Sequence, residues 1–316
     1  MTLYLLRRLL SLLATLFAIT ALVFFVMNVI PGDPAAVILG LDATEEARAA
    51  LRAELGLDRP LLAQYLDWVA GALRGDFGVS YAYDIPVAQL VLERLPVTVP
   101  LGLFAMLLTV STALVVGIFA AARHGRPGDW GVMAVSQLGI AIPAFWLGIL
   151  LVILFAVRLR WLPPGGFPGW EEPVAAIRAL ILPAVALALV QSAILARVTR
   201  SSVLEVMRLD YAQTARAKGL SRGRILRAHV LPNALIPIVT IIGLQFAGVV
   251  TGTIVIENVF SLPGLGRLLR QSIANRDLFT VQALVLIFAG VVVVVNFLVD
   301  LTYAAVDPRL RARVSS

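Results

Sequence analysis

The chain has 316 residues, 60% of them hydrophobic and only 14% charged, with a net charge of +7. That composition excludes a disordered chain and does not fit an ordinary soluble domain. The positive charge alone would suit nucleic acid, but it is distributed as a membrane orders charge, and no nucleic-acid partner is expected.

Six apolar stretches lie near residues 9–30, 97–122, 132–157, 179–200, 235–256 and 279–303, each of 22 or more residues. As a helix each measures at least ~33 Å, enough for the ~30 Å hydrocarbon layer. They lack the polar–apolar alternation of barrel strands. The expected fold is therefore all-α and polytopic, with six transmembrane helices in one domain of residues 1–316. With the N-terminus cytoplasmic, the inner segments hold fifteen bases against four acids, and the outer loop 31–96 holds ten acids against five Arg. That asymmetry places both termini inside.

The first stretch, preceded by Arg7 and Arg8, resembles a signal sequence, but its apolar run of 22 residues exceeds the usual ~7–15. An uncleaved first membrane helix is expected, ended by Pro31-Gly-Asp-Pro34. In the outer loop, residues 44–56 combine an acidic first turn with a terminal Gly and predict a short helix. Pro60 suits the first turn of another, with Leu62, Tyr65, Leu66 and Val69 as its apolar stripe. Gly75-Asp-Phe-Gly78 breaks that helix, and 85–95 reads as a third amphipathic piece. Together they predict a small helical cap on the outer surface; a merely stabilising folded loop is the plain alternative.

Farther along, Trp161 to Trp170 forms an outer Pro/Gly-rich turn region, with both Trp at the interface. Residues 201–234 form a cytoplasmic loop. There Leu204, Met207, Tyr211 and Ala215 recur at helical spacing. Gly219 can take the left-handed conformation that closes a helix, Ser221 can cap the next, and Pro232 interrupts the ladder. An ordinary basic loop would satisfy the charge rule equally well. An amphipathic segment from Leu265 to Ile273 precedes the sixth span.

The pattern in that loop resembles the motif of membrane subunits of ATP-binding-cassette importers, a Glu-Ala-Ala triplet followed by Gly and later Ile-x-Leu-Pro. Ala215, Gly219, Leu231 and Pro232 match it, while Gln213 stands for the Glu, Thr214 for the first Ala and His229 for the Ile. Other segments resemble the dipeptide, oligopeptide and nickel branch of these permeases. They are Leu22–Pro34, Leu55-Gly-Leu-Asp-Arg-Pro60, Gly75-Asp-Phe-Gly-Val-Ser80, Ile142-Pro-Ala-Phe-Trp-Leu-Gly148, Glu257-Asn-Val-Phe-Ser-Leu-Pro-Gly-Leu-Gly266 and Val299-Asp-Leu…Asp307-Pro-Arg309. Within the branch the chain is similar to the first permease of the pair, the one with the large outer loop.

The resemblance implies an importer-type permease fold in the cell's inner membrane. It also implies a heterodimer with a second homologous permease, two cytoplasmic ATPases and an external solute-binding protein. Tyr211, Gln213, Thr214, Ala215, Lys218, Gly219, His229, Leu231 and Pro232 would then couple the chain to an ATPase. Glu257, Asn258 and Phe260 are candidates for an outer gate. The cargo would be a peptide or a similar small solute.

No Gly-x-x-x-x-Gly-Lys-Ser/Thr phosphate loop is present, so ATP and Mg are expected on partner subunits and no catalytic residue on this one. With no Cys and only His124 and His229, no metal site is expected, and a solvated or capping role suits each His. Gln137, Gln191, Gln245 and Asn296 are the candidates for a polar translocation pathway, with helix-to-helix hydrogen bonding as their plainer role. Pro100, Pro143 and Pro183 lie inside apolar stretches as hinges or static kinks. A secondary carrier driven by an ion gradient is the alternative function, although the spans lack the charged pairs and broken repeats such carriers show. An intramembrane enzyme would need a catalytic constellation that is not visible.

Overall fold

The computed structural model describes residues 2–29, 34–40, 43–54 and 56–306. The expected stop at 31–33 and the Asp307-Pro-Arg309 motif lie outside them. The helices are α1 (Thr2–Val29), α2 (Pro34–Leu39), α3 (Glu45–Glu54), α4 (Leu61–Leu73), α5 (Val87–Ala122), α6 (Pro127–Ala141) and α7 (Ala144–Leu151). There follow α8 (Pro173–Met207), α9 (Asp210–Ala217), α10 (Arg222–Ile225), α11 (Leu231–Val259), α12 (Leu265–Ala274) and α13 (Leu278–Val306). Among the described residues the only β pairing is an isolated bridge between Val79 and Pro86. Five helical segments among the described residues are long and apolar enough to cross a membrane, or six when the bent pair Pro127–Ala141 and Ala144–Arg158 counts as one span.

The third apolar stretch is not a straight span. The chain bends by 102° between its two arms. Ile142 is extended (ψ 124°) and Pro143 caps α7, so the proline, which has no N–H to donate, stands where the helical ladder is interrupted. A π-helical turn over Val152–Arg158 then ends the second arm. Pro100 and Pro183, by contrast, sit inside unbroken helices. The piece expected over 85–95 is also absorbed: α5 begins at Val87 and runs through Pro96 and Pro100. Four residues apart, these two prolines lie on one face, so the missing hydrogen bonds fall on one side of a continuous helix.

The described residues divide into two compact units. The first draws on residues 2–8, 99–262 and 294–306, the second on the described residues within 9–98 and on 263–293. In the first, α8 is the most enclosed helix, with two thirds of its apolar window buried, and α6, α7 and α11 pack on it. Small residues allow the close approach. A Cβ at Gly117 of α5 would lie 2.6 Å from the Ala196 carbonyl oxygen and 2.6 Å from Thr199 Cβ on α8, so the two helices cross nearly backbone to backbone.

In the second unit, α3 and α4 appear where the sequence places helices, and Gly56, Gly75 and Gly78 adopt positive φ at the breaks. Pro60 sits one residue before α4, its carbonyl accepting the Ala63 and Gln64 N–H groups. The residues of the apolar stripe do not share one environment. Leu62 and Leu66 are exposed, and α4 instead meets α1 along the edge that carries Tyr65 and Trp68. The Tyr65 hydroxyl lies 2.8 Å from Thr20 Oγ1, and its ring packs edge-on against Phe17 and Phe24.

A buried clasp joins the short inner loop of the first unit to α8. Arg200 donates from Nε to Asp129 Oδ1 at 2.5 Å and from a terminal nitrogen to Oδ2 at 2.8 Å, while the Gly125 N–H reaches Oδ2 at 3.0 Å. His124 Nδ1 stands 3.2 Å from the same oxygen and 3.0 Å from an Arg200 terminal nitrogen, its side chain half exposed at the edge of the clasp. The Asp129 side chain is 3% exposed and that of Arg200 20%. Removing one partner of such a pair strands the other. Asp129→Ala is therefore expected to destabilise the first unit by about 3 kcal/mol, read as a lowered thermal midpoint of the detergent-purified protein. An unchanged midpoint would refute this account of the clasp.

Candidate functional site

The hairpin between α8 and α11 is short, exposed on one side and anchored on the other. α8 ends at Met207 and α9 begins at Asp210 after a turn at Arg208 and Leu209, so the spacing from Leu204 to Ala215 does not describe one helix. Tyr211 consequently points outward, 42% exposed. The buried face of α9 is Ala212 and Ala215, which join a cluster with Val203, Val206, Ile225 and Val230. Leu204, Met207, Leu220, Leu226 and Leu231 pack around it. Alanines at these positions let α9 lie close against its support.

Gly219 closes α9 with φ +86°, and nothing lies within 4 Å of where its Cβ would be. Backbone conformation, not space, is what calls for glycine here. Ser221 occupies the position before α10, but its side chain makes no capping bond; its carbonyl takes the Arg224 and Ile225 N–H groups. Pro232 does not stop the chain. The helix passes through a π-helical turn, Leu226–Val230, into α11 with Pro232 in its first turn. The wider turn absorbs the missing donor, and Asn233 Nδ2 donates to the His229 carbonyl at 2.8 Å.

Gln213, Thr214, Lys218 and Gly219 are exposed together with Tyr211, and so are Arg216, Arg222, Arg224 and Arg227. Ala215 is buried beneath them, and Leu231 and His229 are half-buried. The hairpin thus offers a basic, hydrogen-bonding surface on a fixed apolar base. Gln213 is the exception in part, as its amide donates to the Arg208 carbonyl at 2.9 Å and fastens the turn between α8 and α9.

The pathway candidates separate. Gln245, 6% exposed, donates to the Gln191 carbonyl at 3.2 Å and so links α11 to α8. Gln137 is exposed and accepts from Arg197 at 3.5 Å, and Asn296 is half-buried on α13. At the outer end of α11, Glu257 is fully buried and the Asn258 amide donates to the Ile254 carbonyl at 2.6 Å. Phe260 is buried against Gly148, and its carbonyl accepts the Gly166 N–H at 2.8 Å. The outer Pro/Gly turn is thereby tied to the end of α11.

Sequence reasoning missed two buried carboxylates. In the sequence Asp129 is one of the four acids of the inner segments and carries no further signal. Asp277, in the second unit, accepts from the Ser80 hydroxyl and from Thr280 Oγ1 (2.7 Å) and caps α13 through the Thr280 N–H. Burial pushes the neighbouring Tyr81 phenol well above its usual range, and the Asp277 charge adds to the effect. An Asp just before an apolar run was the available signal for Asp277; nothing local announces Ser80 as its partner.

The chain matches the family described as binding-protein-dependent transport system inner membrane component over residues 113–312, and that family's N-terminal segment over residues 1–102. It belongs to this family. A putative peptide transport system permease protein of Brucella abortus is 43% identical over 312 residues, covering 98% of this chain and 99% of that protein. The glutathione transport system permease protein GsiC of Escherichia coli is 41% identical over 308 residues, 98% of each. Among solved structures, the inward-facing MetNI methionine ABC transporter matches with a TM-score of 0.57 at 20% identity, over 69% of this chain and 97% of that one. An amino acid ABC transporter with histidines matches at 0.51 and 19%, over 69% and 94%. These likenesses establish the importer-type permease fold, and the family places the chain in the inner membrane. The secondary-carrier alternative is left without support.

The tie between α11 and the outer turn depends on glycine. A Cβ on Gly165 would fall on the Phe260 carbonyl oxygen. Gly165→Ala is expected to displace this turn at a cost of about 1–3 kcal/mol and to speed proteolysis near 161–170 from the outer side. Gly102→Ala, with open space at its Cβ, serves as the neutral control. Equal cleavage of both would contradict the proposed tie.

Proposed function

We propose that this chain is one membrane-spanning subunit of an ATP-driven importer for peptides or similar small solutes delivered by an external binding protein. The observation that carries the reading is the hairpin around α9 and α10, basic and exposed outside, alanine-packed on the transmembrane core inside. Force applied to such a surface reaches α8 and α11 without first deforming the hairpin. Tyr211, Gln213, Thr214, Lys218 and Gly219 supply the docking face for a cytoplasmic ATPase, with Ala215, Leu231 and Pro232 as its support and His229 between the two. ATP and Mg are bound by that ATPase, present in two copies. A second permease of the same family completes the pathway.

The cargo class follows the peptide and glutathione permeases, which the chain resembles over nearly its full length. Gln137 and Asn296 offer polar groups to the pathway, and Gln191 and Gln245 hold its wall by joining α8 and α11. Glu257, Asn258 and Phe260 form the outer gate, a role supported by their place at the end of α11 beside the glycine turn. The helices α3 and α4 of the outer loop receive the binding protein.

The sharpest test is at Gly219. A side chain in the left-handed region costs about 1–2 kcal/mol, which is roughly a five- to thirtyfold loss in the population of this hairpin geometry. Gly219→Val is expected to lower uptake per ATP hydrolysed several-fold in proteoliposomes while the complex still assembles. Gly219→Asn should retain most of it, since Asn tolerates this conformation. Undiminished transport by the Val variant at equal expression would sink the coupling role.

A further inference from the structure

In the second unit α4 carries an apolar face that is exposed along its length. Leu62, Leu66 and Leu73 lie on one side of the helix and are each more than half exposed, with Val69 half-buried among them. The adjoining edge, with Tyr65 and Trp68, meets α1. Asp67, the one carboxylate of α4, lies on the other side from the leucines and pairs with Arg59 at 2.5 Å. The helix is thus sorted into an apolar and a polar side, the pattern of a helix lying in a membrane interface.

A protein partner would suit the same leucines, and α1 decides between the two. Its apolar window Leu6–Val26 has 21 residues, which at ~1.5 Å each measure ~31 Å, match the ~30 Å hydrocarbon layer and so fix its depth. Only 6% of that window is buried by the rest of the chain. α4 meets α1 inside it. The Tyr65 hydroxyl bonds Thr20 at 2.8 Å, and Leu61 and Leu62 share an apolar groove of about 590 Å³ with Ala18, Ala21, Leu22 and Phe25. Thr20 stands six residues before Val26, so the contact lies ~9 Å inside the end of the window. A helix held at that level is in the leaflet, not above it. The groove has no polar side chain other than Tyr65, whose hydroxyl is already engaged by Thr20. It offers little to a peptide or a headgroup and suits a hydrocarbon chain.

We propose that α4 is embedded in the leaflet at the C-terminal end of α1, its leucines in hydrocarbon and a phospholipid acyl chain in the groove between the two helices. By the charge asymmetry of the loops that leaflet is the outer one. α4 then anchors the outer loop to the bilayer and leaves its Asp67 side toward water. The arrangement requires α1 to span the membrane and requires no transport activity.

The chain has no cysteine, so a bimane fluorophore can be attached at one introduced thiol at a time. Leu62→Cys and Leu66→Cys read the apolar face and Asp67→Cys the polar one; all three side chains are exposed, so little packing is lost. The full-length protein is placed in phosphatidylethanolamine–phosphatidylglycerol liposomes with iodide on both sides of the bilayer. Iodide, which is excluded from hydrocarbon, should quench the two leucine sites about tenfold less than the Asp67 site. A phospholipid with a nitroxide midway along its acyl chain should quench the leucine sites several-fold more than one with the nitroxide on its headgroup. Equal iodide quenching at all three sites puts α4 in water and overturns the proposal. Protection of the leucine sites from both iodide and the acyl-chain nitroxide means that protein covers them, a second permease or another copy of this chain, and overturns it equally. Stronger quenching from the headgroup nitroxide overturns the embedded depth.

Discussion

In hydrocarbon no water is available to satisfy a backbone N–H or carbonyl, and the whole architecture depends on that constraint. It makes the chain almost entirely helical and leaves few places where a helix can be interrupted. The interruptions that do occur are chemically prepared. Ile142-Pro143 breaks the third stretch where a proline has no donor to lose, and the turns over Val152–Arg158 and Leu226–Val230 widen the helix rather than open it. Pro232, which cannot donate, stands immediately after one such widening. The hairpin around α9 and α10 is therefore continuous with α11 rather than hung from it.

Against this apolar background, the two buried aspartates serve as fasteners at loops rather than as features of the spans. Asp129 binds the 123–129 turn to Arg200 on α8. Asp277 secures the start of α13 and the 79–86 loop. Each carboxylate collects several donors, the condition under which a charge can be buried at acceptable cost. Both hold irregular backbone near a membrane helix, where loops would otherwise be free to rearrange.

Much of this was legible in the sequence. The apolar runs gave the helices, Gly219 the end of α9, the acidic first turn α3, and the ordered motifs the family. What was not legible has a physical reason in each case. Periodicity across 204–215 could not show the break at Arg208 and Leu209, because the apolar spacing survives a change of helix axis. The apolar stripe on α4 could not show which of its residues meet α1, because Leu62, Tyr65, Leu66 and Val69 are alike in period and only the rings of Phe17 and Phe24, far back in the chain, single out Tyr65. The clasp of Asp129 and Arg200 joins residues 71 apart, and Ser80 and Asp277 are 197 apart. Such partnerships are made by the fold, and no local pattern contains them. The role of the glycine at 165 was likewise hidden, since its neighbour is a carbonyl nearly a hundred residues away.

The helical run from Arg222 to Val259 comprises 38 residues, which at ~1.5 Å each makes a rod of ~57 Å. Its lower end is set in the alanine-packed hairpin, and its upper end terminates at Phe260 beneath the glycine turn. Rods convert small rotations into long excursions. Pivoting by about 5° around one end sweeps the other through about 5 Å, whereas a hydrogen bond is lost once its atoms part by less than 1 Å beyond ordinary length. The 2.8 Å bond from Gly166 to Phe260 cannot stretch through such a sweep. The outer turn must either ride with the rod or release it.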